Sequence, residues 1–287
     1  MKLETTEFGN TSVQVTRLGF GAAGLRKITE DEADSLLNLI LDSGINFIDT
    51  SIDYGDSEKL IGKFISHRRS EFFLASKCGC PVDGDGDHIF TRDNIITGIN
   101  QSLKRMKTDY LDLVQLHSSP SKSVIEENDV IQTLLEIKKE GKVRFIGTSS
   151  VLPALSDHIN MNVFNAFQIP YSALNREHET CITNAFESGA GTIIRGGVSK
   201  GEFGGNKEWE NFSKANLDDL LDEGESRTSF LLRFTLSHPE LNTTIVGTKN
   251  PEHFKENLKT AIKGRLPQNT YEEAKKRLSD KGILPAN

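Results

Sequence analysis

Asp49, Tyr54, Lys77 and His117 occur in that order, each at or just beyond the end of a short apolar run. Phe47-Ile48-Asp49 closes one run, and Tyr54 follows in the turn after it. Phe72–Lys77 and Leu111–His117 close two more. A phenol titrates near pKa ~10 and is a poor acid at neutral pH. A neighbouring ammonium stabilises the phenolate, and a carboxylate keeps that ammonium charged and in place. An imidazole close by can orient a carbonyl. Such a group can put a proton on the oxygen of an aldehyde or ketone while hydride reaches the carbon. No side chain donates hydride, so this chemistry requires a nicotinamide cofactor.

Taken singly, each residue has a plainer role. A strand-end Asp is a cap or turn former, a rim Tyr packs, a strand-end Lys is solvated, and a loop His is satisfied by its neighbours. Their joint placement at the ends of successive buried strands favours chemistry, because an α/β barrel keeps its site at those ends.

The elements needed to position them can be read along the chain. Strand-like runs fall at Arg17–Phe20, Asn46–Asp49, Phe72–Lys77, Leu111–His117, Val143–Gly147, Ala166–Tyr171, Thr192–Arg195 and Thr243–Val246. Helical spacing lies between most of them. Ala33, Leu36, Leu37, Ile40 and Leu41 recur at three- and four-residue steps, and Thr29 with Glu32 makes a capping box ahead of them. Further helices are expected from Ser57, over Thr91–Met106, and over Val130–Lys139, which ends before Gly141. Strands alternating with helices pair in parallel. Eight such units in 287 residues give a (β/α)8 TIM barrel, with one domain over 1–287. Phe8–Val13, with Gly9-Asn10 at its turn, reads as an N-terminal β-hairpin plugging the barrel floor, and Tyr271–Ser279 as a C-terminal extra helix. The stretch Gly196–Ser226 reads as a long loop.

One rival is a Rossmann fold. Gly19-Phe20-Gly21-Ala22-Ala23-Gly24 matches GxGxxG after a strand, and Asp49 ends the next. Against it, Leu25–Ile28 separate the glycines from the capping box, whereas that motif runs straight into its helix. The glycines would then form a tight rim turn along which a ligand can approach the backbone.

Composition narrows the classes. A chain with 36% hydrophobic and 26% charged residues is an ordinary globular one. A net charge of −7 argues against nucleic acid as partner. No apolar run is long enough for a membrane span, and Met1–Thr6 lacks an export pattern. Three cysteines do not make a disulfide framework, so a reducing, cytoplasmic setting is expected. Cys78-Gly79-Cys80 is CxC without a second pair, and the seven histidines show no HxH, so no metal site is expected. Oligomeric state has no signature.

In these residues the chain resembles the aldo-keto reductase superfamily. Asn46–Glu58 resembles its second-strand signature, Ala75-Ser76-Lys77 its third-strand lysine, and Leu103–Leu113 leading to His117 its fourth-strand block. Lys142–Ser149 and Ile245–Asn257 resemble its fifth-strand turn and cofactor-phosphate segment. The resemblance implies an NADP(H)-dependent oxidoreductase acting on a small carbonyl or alcohol. Tyr54 would be general acid in reduction and base in oxidation, Lys77 its tuner, Asp49 the partner of Lys77, and His117 the orienter of the carbonyl. It implies a cofactor site from Gly21, Asp49, Ser149, Gln168, Arg195, Gly196, Gly197, Val198, Gly247, Thr248, Lys249, His253 and Asn257. Ser149 and Gln168 would hold the carboxamide, Gly196–Gly201 would lie along the pyrophosphate, and Asn257 with Glu256 would meet the adenine.

Three departures from the pattern matter. Ser150 stands where an Asn is common. Arg195 stands where many members place a Tyr against the nicotinamide, and a guanidinium can stack there too. Gly247 and His253 replace a Lys and an Arg of the most basic branch. Thr248, Lys249 and His253 would then meet the 2′-phosphate, favouring NADP(H) over NAD(H). The same superfamily also implies an alternative, a cofactor-binding subunit that senses redox state or regulates a channel with little turnover. A metal-dependent barrel hydrolase is a third reading, weakened by the absence of HxH. The substrate is left open, set by side chains around Ala22–Arg26, Tyr54, Gly79–His88, Ser118–Lys122 and Trp209.

Overall fold

A computed structural model describes residues 2–82, 86–199 and 206–286. Eight strands form a closed, all-parallel barrel: β3 (Leu18–Gly21), β4 (Phe47–Asp49), β5 (Phe73–Cys78), β6 (Leu111–Leu116), β7 (Val143–Ser149), β8 (Ala166–Pro170), β9 (Gly191–Arg195) and β10 (Thr243–Val246), with β10 pairing back onto β3. Closure excludes the Rossmann alternative. The short segment after Gly21 is a 3-10 turn, Ala22–Lys27, and α1 (Glu30–Asp42) begins only after it, with the Thr29–Glu32 capping box formed.

The remaining helices are α2 (Ser57–Phe64), α3 (Arg92–Met106), α4 (Lys122–Glu127), α5 (Val130–Lys139), α6 (Ala154–Asn160), α7 (Glu179–Glu187), α8 (Asn206–Lys214), α9 (Arg227–Leu236), α10 (Pro251–Lys263) and the C-terminal α11 (Gln268–Ser279). Their apolar stripes pack against the outside of the barrel in the main core. The stretch expected as loop, Gly196–Ser226, carries α8 and a 3-10 turn at Leu217–Leu220.

The hairpin exists, with its strands outside the segment read for it. β1 (Thr5–Glu7) pairs antiparallel with β2 (Gln14–Thr16), and Phe8–Val13 is the connection. Gly9–Thr11 makes a 3-10 turn rather than a two-residue hairpin turn. This connection closes the barrel floor. The Phe8 ring lies 5.7 Å from that of Phe47 and 5.2 Å from that of Phe73, and a Cβ on Gly191 would come within 2.6 Å of it.

Inside the barrel a second cluster gathers Phe8, Phe47, Phe73, Ala75, Leu113, Ala166 and Ile193, with Phe145 and Ile245 against it. Strand side chains alternate faces, so every second residue points inward. Counting on by two from this apolar floor reaches Asp49, Lys77, Gln115, Ser149, Gln168, Arg195 and Gly247 at the other end. The barrel interior therefore changes from phenylalanine to polar groups along one short axis.

Candidate active site

Asp49 is 1% exposed and organises this polar end. Its Oδ2 accepts from Lys77 Nζ at 2.6 Å, and its Oδ1 accepts from Gln115 Nε2 at 2.8 Å and Gln168 Nε2 at 2.9 Å. Lys77 Nζ also donates to the Thr50 carbonyl at 2.8 Å. Strand register explains the convergence: Lys77 sits opposite Gln115, and Ser149 opposite Gln168. Burial alone draws the Lys77 ammonium down, but Asp49 and Tyr54 outweigh it and hold the group above its ordinary range. The pair is thus a fixed positive charge in a dry place. Removing one partner of such a pair costs about 3–5 kcal/mol, since the other charge is left stranded.

Tyr54 is placed by the turn after β4. Its N–H donates to the Ser51 carbonyl, its own carbonyl accepts from Ser57 N–H, and Gly55 follows in the left-handed region at φ +57. The Lys77 ammonium lies 4.9 Å from the centre of the Tyr54 ring, and the Arg26 guanidinium 5.1 Å. Burial is the largest influence on the phenol and raises its pKa. Lys77 opposes this without reversing it. The expectation that the ammonium lowers the phenol's pKa therefore holds for its own contribution and not for the balance, so the phenol keeps its proton at neutral pH. His117 meets the Tyr54 ring edge-on at 6.2 Å. Burial first, then the Lys77 charge, pushes its pKa down to about 4, and it is a neutral imidazole at pH 7.

The residues expected from the sequence to meet a cofactor fall into two groups. Ser149 Oγ donates to Gln168 Oε1 at 3.0 Å, making a buried pair beside Asp49, and Ser150 Oγ is buried without a partner among the described residues. Arg195, at the end of β9, makes no ion pair among the described residues, and burial lowers its pKa while Tyr54 and Asp49 oppose that shift without reversing it. The second group surrounds a cavity of about 590 Å³, lined by Gly24, Arg26, Lys27, Val198, Gly247, Thr248, Lys249, His253, Glu256 and Asn257, among others. Helix α10 starts at this cavity, with Asn250 as N-cap and Pro251 behind it. Backbone N–H groups and the helix dipole at such an end suit an anion, as do three cationic side chains. Gly21 lies beside Gly247, where a Cβ would be 3.2 Å from the Gly21 carbonyl. Gly196–Ser199 forms a turn closed by Ser199 N–H to the Gly196 carbonyl, and Thr235 Oγ1 donates to the Gly197 carbonyl. Lys200 and Gly201 lie outside the described residues.

The buried Ser149–Gln168 pair, the cationic cavity and the buried ion pair suit a nicotinamide dinucleotide by their chemistry. Trp209 packs instead against Phe212 and near Arg227. Gln115 and Asp53 were not read from the sequence as site residues, and Cys80 and His88 were read only as part of the Gly79–His88 stretch around the substrate. Gln115 could have been, as a lone amide in a strand otherwise apolar near its end.

The aldo/keto reductase family model matches residues 17–278. The chain belongs to the aldo/keto reductase family. It is 26% identical over 292 residues to an uncharacterised oxidoreductase of Bacillus subtilis, covering 94% of each chain. It is 27% identical to the L-galactose dehydrogenase of Arabidopsis thaliana, covering 90% of this chain and 88% of the plant protein. Among solved structures, an aldo-keto reductase of Bacillus halodurans in its holo form superposes with a TM-score of 0.86 at 25% identity, covering 96% of each chain. The family and the matched barrel make the chain an oxidoreductase of aldo-keto reductase type. Among the described residues no helix is long and apolar enough to cross a membrane.

Proposed function

We propose that the chain is a cytoplasmic, one-domain NADP(H)-dependent reductase that interconverts a carbonyl and an alcohol, with Tyr54 as general acid in reduction and base in oxidation. The observation that carries this reading is the buried Lys77–Asp49 pair beneath the Tyr54 ring. Bound reduced nicotinamide supplies the hydride. Ser149 and Gln168 would hold its carboxamide, Arg195 would lie against its ring, and Arg26, Lys27, Lys249 and the start of α10 would take its phosphates.

The chain's own residues do the rest. His117, neutral, donates a hydrogen bond to the substrate carbonyl and fixes its direction. Tyr54 gives its proton to the same oxygen as the carbonyl carbon becomes tetrahedral. The phenolate left behind sits beside Lys77, whose charge Asp49 maintains, until a proton returns from water. Oxidation runs the path backwards. A raised phenol pKa keeps the acid form available across neutral pH, so reduction should stay level there and oxidation should gain as pH rises.

Three cations around one cavity support NADP(H) over NAD(H). A hydroxylated aldehyde or its lactol is the first substrate class to try, since one relative of similar length is named for acting on L-galactose. A panel of aldoses, aromatic aldehydes and keto-esters, followed by loss of nicotinamide absorbance, should find turnover with NADPH. No turnover with any member, despite tight NADPH binding, would reject the enzymatic reading.

A further inference from the structure

We propose that Cys80, His88, His117 and Asp53 form a binding site for one divalent cation of zinc type, which shares His117 with the proposed redox site and rests on its own geometry rather than on that reading. The four donors come from separate places. Asp53 lies in the turn before Tyr54, Cys80 just beyond β5, His88 at the end of the following loop, and His117 just beyond β6. Their ligand atoms all lie within 4.8 Å of one another.

The spacing is that of a coordination shell. Zinc binds imidazole nitrogen at about 2.0–2.1 Å and thiolate at about 2.3 Å, so a tetrahedron has N···N edges of about 3.4 Å and N···S edges of about 3.6 Å. His88 Nε2 and His117 Nδ1 are 3.2 Å apart, Cys80 Sγ is 3.2 Å from His117 Nδ1, and it is 3.6 Å from His88 Nε2. Asp53 Oδ2, 3.7 Å from His117 Nδ1, offers the fourth corner. Two imidazoles, a thiolate and a carboxylate are the donor types a borderline-soft cation takes.

Hydrogen bonding alone leaves this cluster over-crowded. The single nitrogen His88 Nε2 is approached by Cys80 Sγ, His117 Nδ1 and Ser118 Oγ, the last at 3.1 Å. A neutral ring nitrogen either donates once or accepts once. One cation at the centre satisfies the thiolate and both rings together.

The backbone at Cys80 and next to His88 is also held in place. Asn94 Nδ2 donates to the Cys80 carbonyl at 3.0 Å and to the Ile89 carbonyl at 2.8 Å, and Ile89 N–H donates to the Gly79 carbonyl at 2.6 Å. These bonds pin both ends of the Cys80–His88 loop. Binding forms a metal–sulfur bond, and the Cys80 S–H proton leaves to water, one per cation. With Nδ1 on the cation, His117 carries its remaining proton on Nε2.

The test is titration of the metal-free full chain with Co²⁺, read by absorbance, and competition by Zn²⁺. One Co²⁺ per chain should give a thiolate-to-cobalt band and strong tetrahedral visible bands, both removed by Zn²⁺. Cys80→Ser should lose the thiolate band. His88→Ala should weaken Zn²⁺ binding by more than the roughly 10–100-fold that loss of an outer-shell partner costs. NADPH binding by fluorescence, which uses neither residue, reports whether each variant is folded. A thiolate band that persists in Cys80→Ser would overturn the site, as would an octahedral spectrum or unchanged Zn²⁺ affinity in a folded His88→Ala.

Discussion

The two mouths of the barrel are built from the same strands and do opposite work. β4 begins with Phe47 and ends, two residues later, with Asp49. β5 runs from Phe73 through Ala75 to Lys77 on its inward face, and β8 from Ala166 to Gln168. At the floor, stacked rings and the Phe8 plug exclude water and need no partners. At the top, Asp49, Lys77, Ser149 and Gln168 are each buried against another polar group. The floor therefore contributes stability through packing. The top spends part of that stability to hold an ammonium and a carboxylate away from water.

That contrast can be broken from either side. Asp49→Asn strands the Lys77 ammonium, so it should cost about 3–5 kcal/mol of stability and also lower turnover, measured by urea unfolding and by kinetics on the same preparation. Phe8→Ala empties the floor. It should cost a similar roughly 3–5 kcal/mol while leaving the KM for cofactor unchanged, because Phe8 packs on Phe47, Phe73 and Gly191 at the opposite end of the barrel. A large loss of cofactor affinity in Phe8→Ala would show that the two ends are coupled.

Acid should also unfold the chain through its buried histidines. His117 and His238 are both pushed by burial from 6.5 to about 4. The unfolded chain takes up these protons near pH 6.5 and the folded chain only near pH 4. Stability is thus complete above 6.5 and falls as pH drops through that window, by roughly 1–3 kcal/mol for each histidine. Urea midpoints between pH 7 and 4 check this. The smallest effect expected is at the cavity. Lys249→Ala should weaken NADPH binding by about 1 kcal/mol, as for an exposed charge, and leave NADH binding unchanged in parallel titrations.

Much of this was legible before any coordinates. Strand alternation and helical spacing marked all eight barrel strands within one or two residues, because buried parallel strands must be apolar along most of their length. Asp49 and Lys77 were legible as polar residues closing apolar runs. Gln115 was hidden, because one amide inside Leu111–Leu116 looks like a tolerated exception until Asp49 is seen to need its N–H. The Cys80–His88–His117–Asp53 cluster could not be read either. Its donors come from three loops, and only the side-by-side pairing of β4, β5 and β6 brings these together, so no spacing rule along the chain reports them. Helix α8 was missed inside a stretch whose leading glycines suggested loop. The hairpin was placed too far inward, because Gly9-Asn10 imitates a two-residue turn while the chain uses it to seat Phe8.

The account rests on the Tyr54 hydroxyl moving the proton, and Tyr54→Phe tests that most directly. The ring and its packing remain while the transferable proton goes. NADPH should bind as in the parent, and carbonyl reduction should fall by about 10²–10⁴-fold. Turnover undiminished in the variant, with the cofactor bound, would contradict the assignment.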